Sequence, residues 1–303
     1  MPNRTPKPQP RPASANPPEI VDPRWIISAL GGMLVVCIIC AYIAVCALFS
    51  YGQWQLVLHP SRTVIQTPTS LGLNFAEVHF APDATGQPQL YGWWIPSDLA
   101  TDPTVLLLHS GDGSITDALP ASRTLHDARL NVLLFDYRGY GRSGGKHPTQ
   151  ALMQADAASA LNYLTTIRSV APASLIVYGS GVGASLAVKL ASDHKDLAAL
   201  ILQSPDGDFQ ARVIADPRSR MAPVRLLFHE DFPLAAPLRT LQTPKLLITD
   251  TPSQPPTALQ QAATPKTTLE LTTPPDQAAL HTAIRRFLDT YLPQHPATLT
   301  PTI

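Results

Sequence analysis

Leu175-Ile-Val-Tyr-Gly-Ser-Gly-Val-Gly-Ala-Ser-Leu186 is the stretch from which the fold can be read. Leu175–Tyr178 is a continuous apolar run of the kind that a strand buried on both faces carries. Three glycines then punctuate a tight turn, and residues 182–193 have the spacing of a helix. Working outward, similar apolar runs recur at Val105–Leu108, Val132–Phe135, Leu200–Leu202 and Leu246–Ile248, with a weaker one at Leu269–Leu271. Helical patterns fall between them, near 116–129, 150–167, 257–263 and 276–291. Ahead of these, Asn74–Phe80 and Leu90–Ile95 are short alternating or aromatic runs, and Asp83–Pro88 between them reads as a hairpin turn. The chain is therefore two strands followed by repeated αβ units, an α/β domain over 55–292. Residues 207–240 fit the alternation poorly and predict a small cap or lid.

The two ends have a different character. Residues 1–23 are rich in proline, among them Pro6, Pro8, Pro10 and Pro12, and hold almost nothing apolar, so this tail is predicted to be disordered. Residues 293–303 form a short C-terminal tail. From Trp25 to Tyr51 there is no charged residue. Within it, Ile26–Phe49 is long enough as a helix to cross about 30 Å of hydrocarbon and exceeds the roughly 7–15 apolar residues of a signal peptide. One transmembrane helix over 24–51 is the expectation. Arg4, Lys7, Arg11 and Arg24 precede the apolar span Ile26–Phe49 and the next basic residue is Arg62, which predicts a cytoplasmic N-terminus. The large domain would then lie on the opposite side, periplasmic in a bacterium.

Charge and cysteine content narrow the function. The 22 basic and 22 acidic residues cancel, with an isoelectric point near 7.1, so the basic footprint of a nucleic-acid binder is absent. Cys37, Cys40 and Cys46 all lie in the apolar run, leaving the soluble part no thiol for a disulfide or a thiolate metal site.

Leu106-Leu-Leu-His-Ser-Gly-Asp-Gly113, Phe135-Asp-Tyr-Arg-Gly-Tyr-Gly-Arg-Ser-Gly144 and Ile176-Val-Tyr-Gly-Ser-Gly-Val-Gly-Ala184 carry a specific resemblance in their order and spacing. They resemble the membrane-anchored α/β-hydrolases, a group with lipid and acyl-protein esterases and serine-aminopeptidase-like members. The similarity runs from about Gln55 to Leu292 and takes in Val57-Leu-His-Pro60 and Leu202-Gln-Ser-Pro205. It implies an α/β-hydrolase fold, with a mostly parallel eight-stranded sheet and helices on both faces. It also implies a serine nucleophile, an acid and a histidine, with no cofactor and no metal.

The residues depart from that implied chemistry. In this fold the nucleophile is the third residue of G-x-S-x-G, on a strained strand-to-helix turn. Here those five residues are Gly179, Ser180, Gly181, Val182 and Gly183, so the nucleophile position is Gly181. Ser180 is a displaced candidate, and Ser185 one helical turn on reads as a packing residue. The acid belongs in the loop after Leu246–Ile248. Counting back from Pro255-Pro256 reaches Pro252 or Ser253, and Asp250 is the one carboxylate in that loop. The histidine belongs near Pro274–Gln277, where there is none; His281 is the nearest candidate. A serine hydrolase needs a hydroxyl, a base within reach and a group to orient that base. The expected function is thus a non-catalytic or strongly impaired hydrolase homologue binding a small acyl or lipid ligand, or a protein partner, at a membrane. Backbone N–H groups of Gly111 and Val182 would survive as an oxyanion-type notch. His109-Ser110 stands where the family usually has His-Gly, and Asp112 adds a negative charge nearby. His109 itself reads as a structural histidine. Two alternatives stay open. One is an active esterase or thioesterase with rearranged groups. The other is a dinucleotide site, since Val177–Ala184 nearly spells that fingerprint, although no acidic residue ends the next strand.

Overall fold

The computed structural model describes residues 23–82, 86–87, 89–217, 223–249, 257–271 and 277–292. The chain divides into two compact units, Met1–Leu48 and Phe49–Ile303. In the first unit the described residues belong to helix α1, Pro23–Gly52, which runs for 30 residues. At 1.5 Å per residue it is about 45 Å long. It is apolar on every face, and large side chains such as Trp25, Leu34 and Ile39 are more than half exposed. A helix of that kind needs an apolar surround, supplied either by a large protein core or by lipid.

The second unit is built on eight strands, here β1 Ala76–Phe80, β2 Leu90–Ile95, β3 Thr104–Leu108, β4 Asn131–Asp136, β5 Leu175–Ser180, β6 Ala199–Gln203, β7 Lys245–Thr249 and β8 Lys266–Glu270. They form one sheet in the order β8-β7-β6-β5-β3-β4-β2-β1. Neighbours pair in parallel except at β2, which runs antiparallel to both β1 and β4. Because side chains alternate along a strand, each central strand feeds two cores. Leu106, Leu108, Phe135, Val177 and Leu202 face one core, with Met153, Ala157 and Leu186 from helices α3 (Gln150–Asn162) and α4 (Gly183–Asp193). Val105, Leu107, Leu134, Ile176 and Tyr178 face the other, with Leu119, Leu125, Leu280 and Phe287 from α2 (Leu119–Asp127) and α9 (Gln277–Tyr291).

Strand order dictates where a site can form. After β3 the chain leaves for β4 on one side, and after β5 it leaves for β6 on the other. A crevice opens at the carboxyl ends of β3 and β5, where such sheets bind ligands. The register pairs Leu108 with Gly179, so the residues that follow, His109-Ser110 and Ser180-Gly181, emerge side by side.

Between β6 and β7 three short helices, α5 Phe209–Ala215, α6 Val224–Leu227 and α7 Ala235–Leu238, interrupt the alternation of strand and helix. The remaining helix is α8, Thr257–Gln260. The last strand overlaps the expected 269–271 but begins three residues earlier, at Lys266, and ends at Glu270. Its Lys, Thr and Glu side chains sit on an exposed edge, where charge discourages edge-to-edge pairing, so no apolar run marks it. Leu271, which drew the expected strand forward, is buried just beyond its end.

Candidate active site

The turn after β5 has the shape of a nucleophile elbow. Gly181 sits at φ +55°, in the left-handed region that L side chains enter at a cost of about 1–2 kcal/mol. Its N–H donates to Gln203 O at 3.2 Å, and its carbonyl accepts from Ala184 N at 3.1 Å and Asp206 N at 3.0 Å. The flanking glycines are required by close approach. A Cβ on Gly183 would lie 2.2 Å from Leu108 O, and one on Gly179 would lie 2.4 Å from Gly183 O. Gly181 is different: among the described residues a Cβ there would meet only Ser110, its Cβ at 3.1 Å and its Cα at 3.5 Å. Two of the three glycines thus press against the protein's own backbone.

A cavity of about 340 Å³ opens beside this turn, lined by Ser110, Asp117, Thr124, Tyr178, Ser180, Gly181, Gln203 and Gln277, among others. Ser180, the displaced candidate, is half-buried on its wall, and Tyr178 donates its hydroxyl to Gln203 Oε1. The notch residues also face each other, since a Cβ on Gly111 would lie 3.2 Å from Val182 Cγ2. Among the described residues neither the Gly111 N–H nor the Val182 N–H donates to a protein acceptor. The Asp112 carboxylate is turned away to His59 Nδ1 at 2.7 Å.

No described histidine is placed to serve Ser180 or Gly181. His109 is buried, with Nδ1 2.8 Å from Ser110 O and its ring against Tyr137 and Tyr140. Burial pushes its imidazole down to about 4, because a charged ring cannot be hydrated there. Its Nε2 is 3.9 Å from Asp136 Oδ1, beyond hydrogen-bond length, and has no partner among the described residues. His281, the nearest candidate for the base, stands on the flank of α9. The buried face of α9 carries Leu280, Ile284, Phe287 and Leu288, which turns His281 to the flank, where Nε2 lies 3.2 Å from Asp127 O at the end of α2. It lines an adjoining hollow with Leu71, Arg123 and Asp127, which shares Pro120, Thr124 and Gln277 with the cavity beside Gly181, and His281 itself is not among that cavity's lining residues. Asp250, Pro252, Ser253 and Pro274 lie outside the described residues. Ser185 is buried in α4, its hydroxyl donating to Pro233 O at 2.8 Å, as a packing residue should.

The Asp136–Ser143 segment props up the β3 loop. Tyr137 donates to His109 O at 3.1 Å and Tyr140 to Gly111 O at 2.9 Å, so both carbonyls of that loop are tied back. Asp136 accepts from Ile115 N at 2.8 Å and Arg142 N at 3.3 Å, and burial raises its carboxyl to about 6 despite those donors. Arg138 binds Asp156 twice, N to Oδ2 at 2.8 Å and Nε to Oδ1 at 2.6 Å. Burial raises Asp156 to about 6 as well, with Arg138 opposing it. The bracing role of Tyr137 and Tyr140 and the facing of Ser110 and Gly181 were not read from the sequence. The one signal for Ser110 was a serine in the place of the usual glycine after His109. Among the described residues no cluster of His, Cys, Asp or Glu could hold a metal ion.

Strand order, elbow and flanking loops together define an α/β-hydrolase. The chain belongs to the serine aminopeptidase, S33, family, whose model matches residues 100–273. It is 35% identical over 164 residues to protein bem46 of Schizosaccharomyces pombe, covering 52% of this chain and 54% of that one. It is 28% identical over 166 residues to the α/β-hydrolase domain-containing protein WAV2 of Arabidopsis thaliana, covering 52% and 53%. The chain thus spans about half the length of these relatives. Among solved structures it is similar in fold to the Pyrococcus furiosus esterase Pf2001, with a TM-score of 0.58, 21% identity, and coverage of 78% of this chain and 98% of that one.

Proposed function

We propose that this chain is a membrane-anchored, non-catalytic or strongly impaired member of the α/β-hydrolase family that binds a small acyl or lipid ligand, or a protein partner, in the cavity beside Gly181. One observation carries the reading: the elbow is fully formed and its tip has no side chain. Without a hydroxyl there is no acyl-enzyme, and a remaining pocket contributes binding and oxyanion contacts alone. The placement of His109 and His281 supports it, since neither could take a proton from a group at the elbow. The test is turnover of p-nitrophenyl esters by the purified full chain. Rates at the level of a heat-denatured control are expected, and saturable turnover would refute the reading.

In this reading helix α1 is the anchor, and Arg4, Lys7 and Arg11 before it, with Arg24 in its first turn, favour a cytoplasmic N-terminus. In sealed cells, protease added from outside should digest the large domain and spare the tail. Protection of the domain would reverse the topology.

The position of Ser180 on the cavity wall favours one second reading, an esterase with a displaced nucleophile. Ser180→Ala distinguishes it. Any measured activity should stay within a few-fold, whereas a loss of about a thousandfold would identify Ser180 as a true nucleophile.

A further inference from the structure

The folded domain begins before helix α1 ends. Phe49 opens the second unit and packs on its core, as does Trp54. Gln53, between them, is buried; its amide donates to Ser50 O at 2.8 Å, and its Oε1 accepts from His229 N at 2.6 Å. The rings of Tyr51 and Trp54 both meet the His147 ring, at centroid distances of 5.8 and 5.3 Å. The last turn of α1 and the residues after it are thereby fastened to two other segments of the domain. One is the loop that leads into α3, and the other follows α6. The apolar helix runs into the domain with no linker between them.

That lack of slack decides what this face can meet. On the anchoring reading above, on which the inference rests, the uncharged stretch from Trp25 crosses about 30 Å of hydrocarbon in about 20 residues. It therefore reaches the headgroups by the last turn of α1, where tyrosine and tryptophan are favoured. Gln53 and its partner His229 are held at that level. Leu226 in α6 is three residues before His229 and so within about 11 Å of it. Its side chain is 74% exposed. An exposed leucine carries no message by itself, but this one is tethered beside a bilayer.

The charges around it match a phospholipid surface. Arg225 and Lys146 are exposed, and neither has an ion-pair partner among the described residues. Residues 144–150 and 223–229 contain no aspartate or glutamate. The carboxylates that follow, Glu230 and Asp231, are taken up by Gln150 N and Gln210 N. Unpaired cations next to an apolar side chain attract the phosphates of a lipid surface. We propose that α6 and the His147 loop form a lipid-contacting face, with Leu226 inserted between headgroups and acyl chains and with Arg225 and Lys146 paired to lipid phosphates.

Bimane attached at Leu226→Cys tests this, in the full chain with Cys37, Cys40 and Cys46 replaced by alanine. The chain is placed in nanodiscs of phosphatidylcholine and phosphatidylglycerol that carry nitroxide at the top of the acyl chains. An interfacial apolar side chain sits at that depth, so emission from 226 should fall about threefold or more. The control is bimane at Ile167→Cys. Ile167 is also exposed and ends the helical turn that continues α3, about 26 Å along the helix from Gln150, and its emission should change little. Reversing the charges with Arg225→Glu and Lys146→Glu should roughly halve the quenching at 226, with an unchanged thermal unfolding midpoint to show that the fold persists. Equal quenching at 226 and 167, or quenching at 226 that ignores the charge reversal, would overturn the proposal. Emission from 226 that is blue-shifted but unquenched would put a second copy of the chain over the face and overturn it as well. A chain that separates from the nanodiscs would overturn the anchoring reading itself, whereas retention without quenching at 226 overturns this inference alone.

Discussion

Two neighbouring loops at the carboxyl ends of the central strands are built on opposite terms. In Asp136–Ser143 the side chains do the holding: Asp136, Tyr137, Arg138 and Tyr140 have the partners given above, Arg142 donates to Glu77 and Ser143 to Asp136 O. In Gly179–Gly183 the backbone holds the shape, through close approaches at Gly179 and Gly183 and three hydrogen bonds on Gly181. The difference teaches that the elbow does not depend on the group it exists to present in an active hydrolase. Its geometry is secured by neighbours, so the hydroxyl can be absent while the turn, the notch and the cavity persist. The side-chain loop has no such freedom, since each of its buried charges relies on a specific partner.

Substitutions should expose this asymmetry. The largest effect is expected for Asp156→Ala, which strands the largely buried Arg138 guanidinium. Breaking such a pair costs about 3–5 kcal/mol, and chemical denaturation should show a loss in that range. Gly183→Ala comes next at about 2–3 kcal/mol or more, because the new methyl would collide with backbone oxygen and force a shift. If it were tolerated as easily as Gly181→Ala, the elbow would not be held as described.

The pH response gives a third contrast. His109 is lowered from 6.5 to about 4, so between those values the unfolded chain binds more protons and stability rises with pH. Asp136 and Asp156 are raised from 3.8 to about 6, so over that window the folded state binds more protons and stability falls with rising pH. The two trends oppose. His109→Gln removes the rising one, and its stability should fall more steeply than that of the wild type from pH 4 to 6. The two slopes should differ by roughly 2 kcal/mol over the window at about 1.4 kcal/mol per pKa unit. Parallel stability curves would show that His109 does not titrate as its burial requires.

Smaller still is Tyr140→Phe, which deletes one bond to Gly111 O and should cost about 1 kcal/mol. Gly181→Ala should change stability least. The strain of a left-handed alanine is partly offset by the entropy that alanine removes from the unfolded chain.

These contrasts also mark what could be read without coordinates. The strands at Val105, Val132, Leu175, Leu200 and Leu246 were legible to within one or two residues, because a strand covered on both faces must be apolar at every position. The start of β8 was read three residues late because Lys266–Glu270 is an exposed edge and lacks that pattern. Gly181 could be located from its neighbours alone. The contact between Ser110 and Gly181 could not, because it depends on the register of β3 against β5, and 70 residues separate the two loops. The position of His281 depends on how α9 is rotated against α2, and a helical pattern alone does not settle which flank faces a cavity.

The central claim is that the site lacks a working base as well as a nucleophile, and fluorophosphonate labelling of Gly181→Ser tests it most directly. The variant supplies a hydroxyl at the tip of an elbow that already has the right backbone. It should fold, and it should label no faster than the wild type or a denatured control, because no described histidine can accept the proton and residues 272–276, Thr-Thr-Pro-Pro-Asp, contain none. Rapid, stoichiometric labelling of Gly181→Ser would contradict the account by showing that a base and its orienting acid are in place.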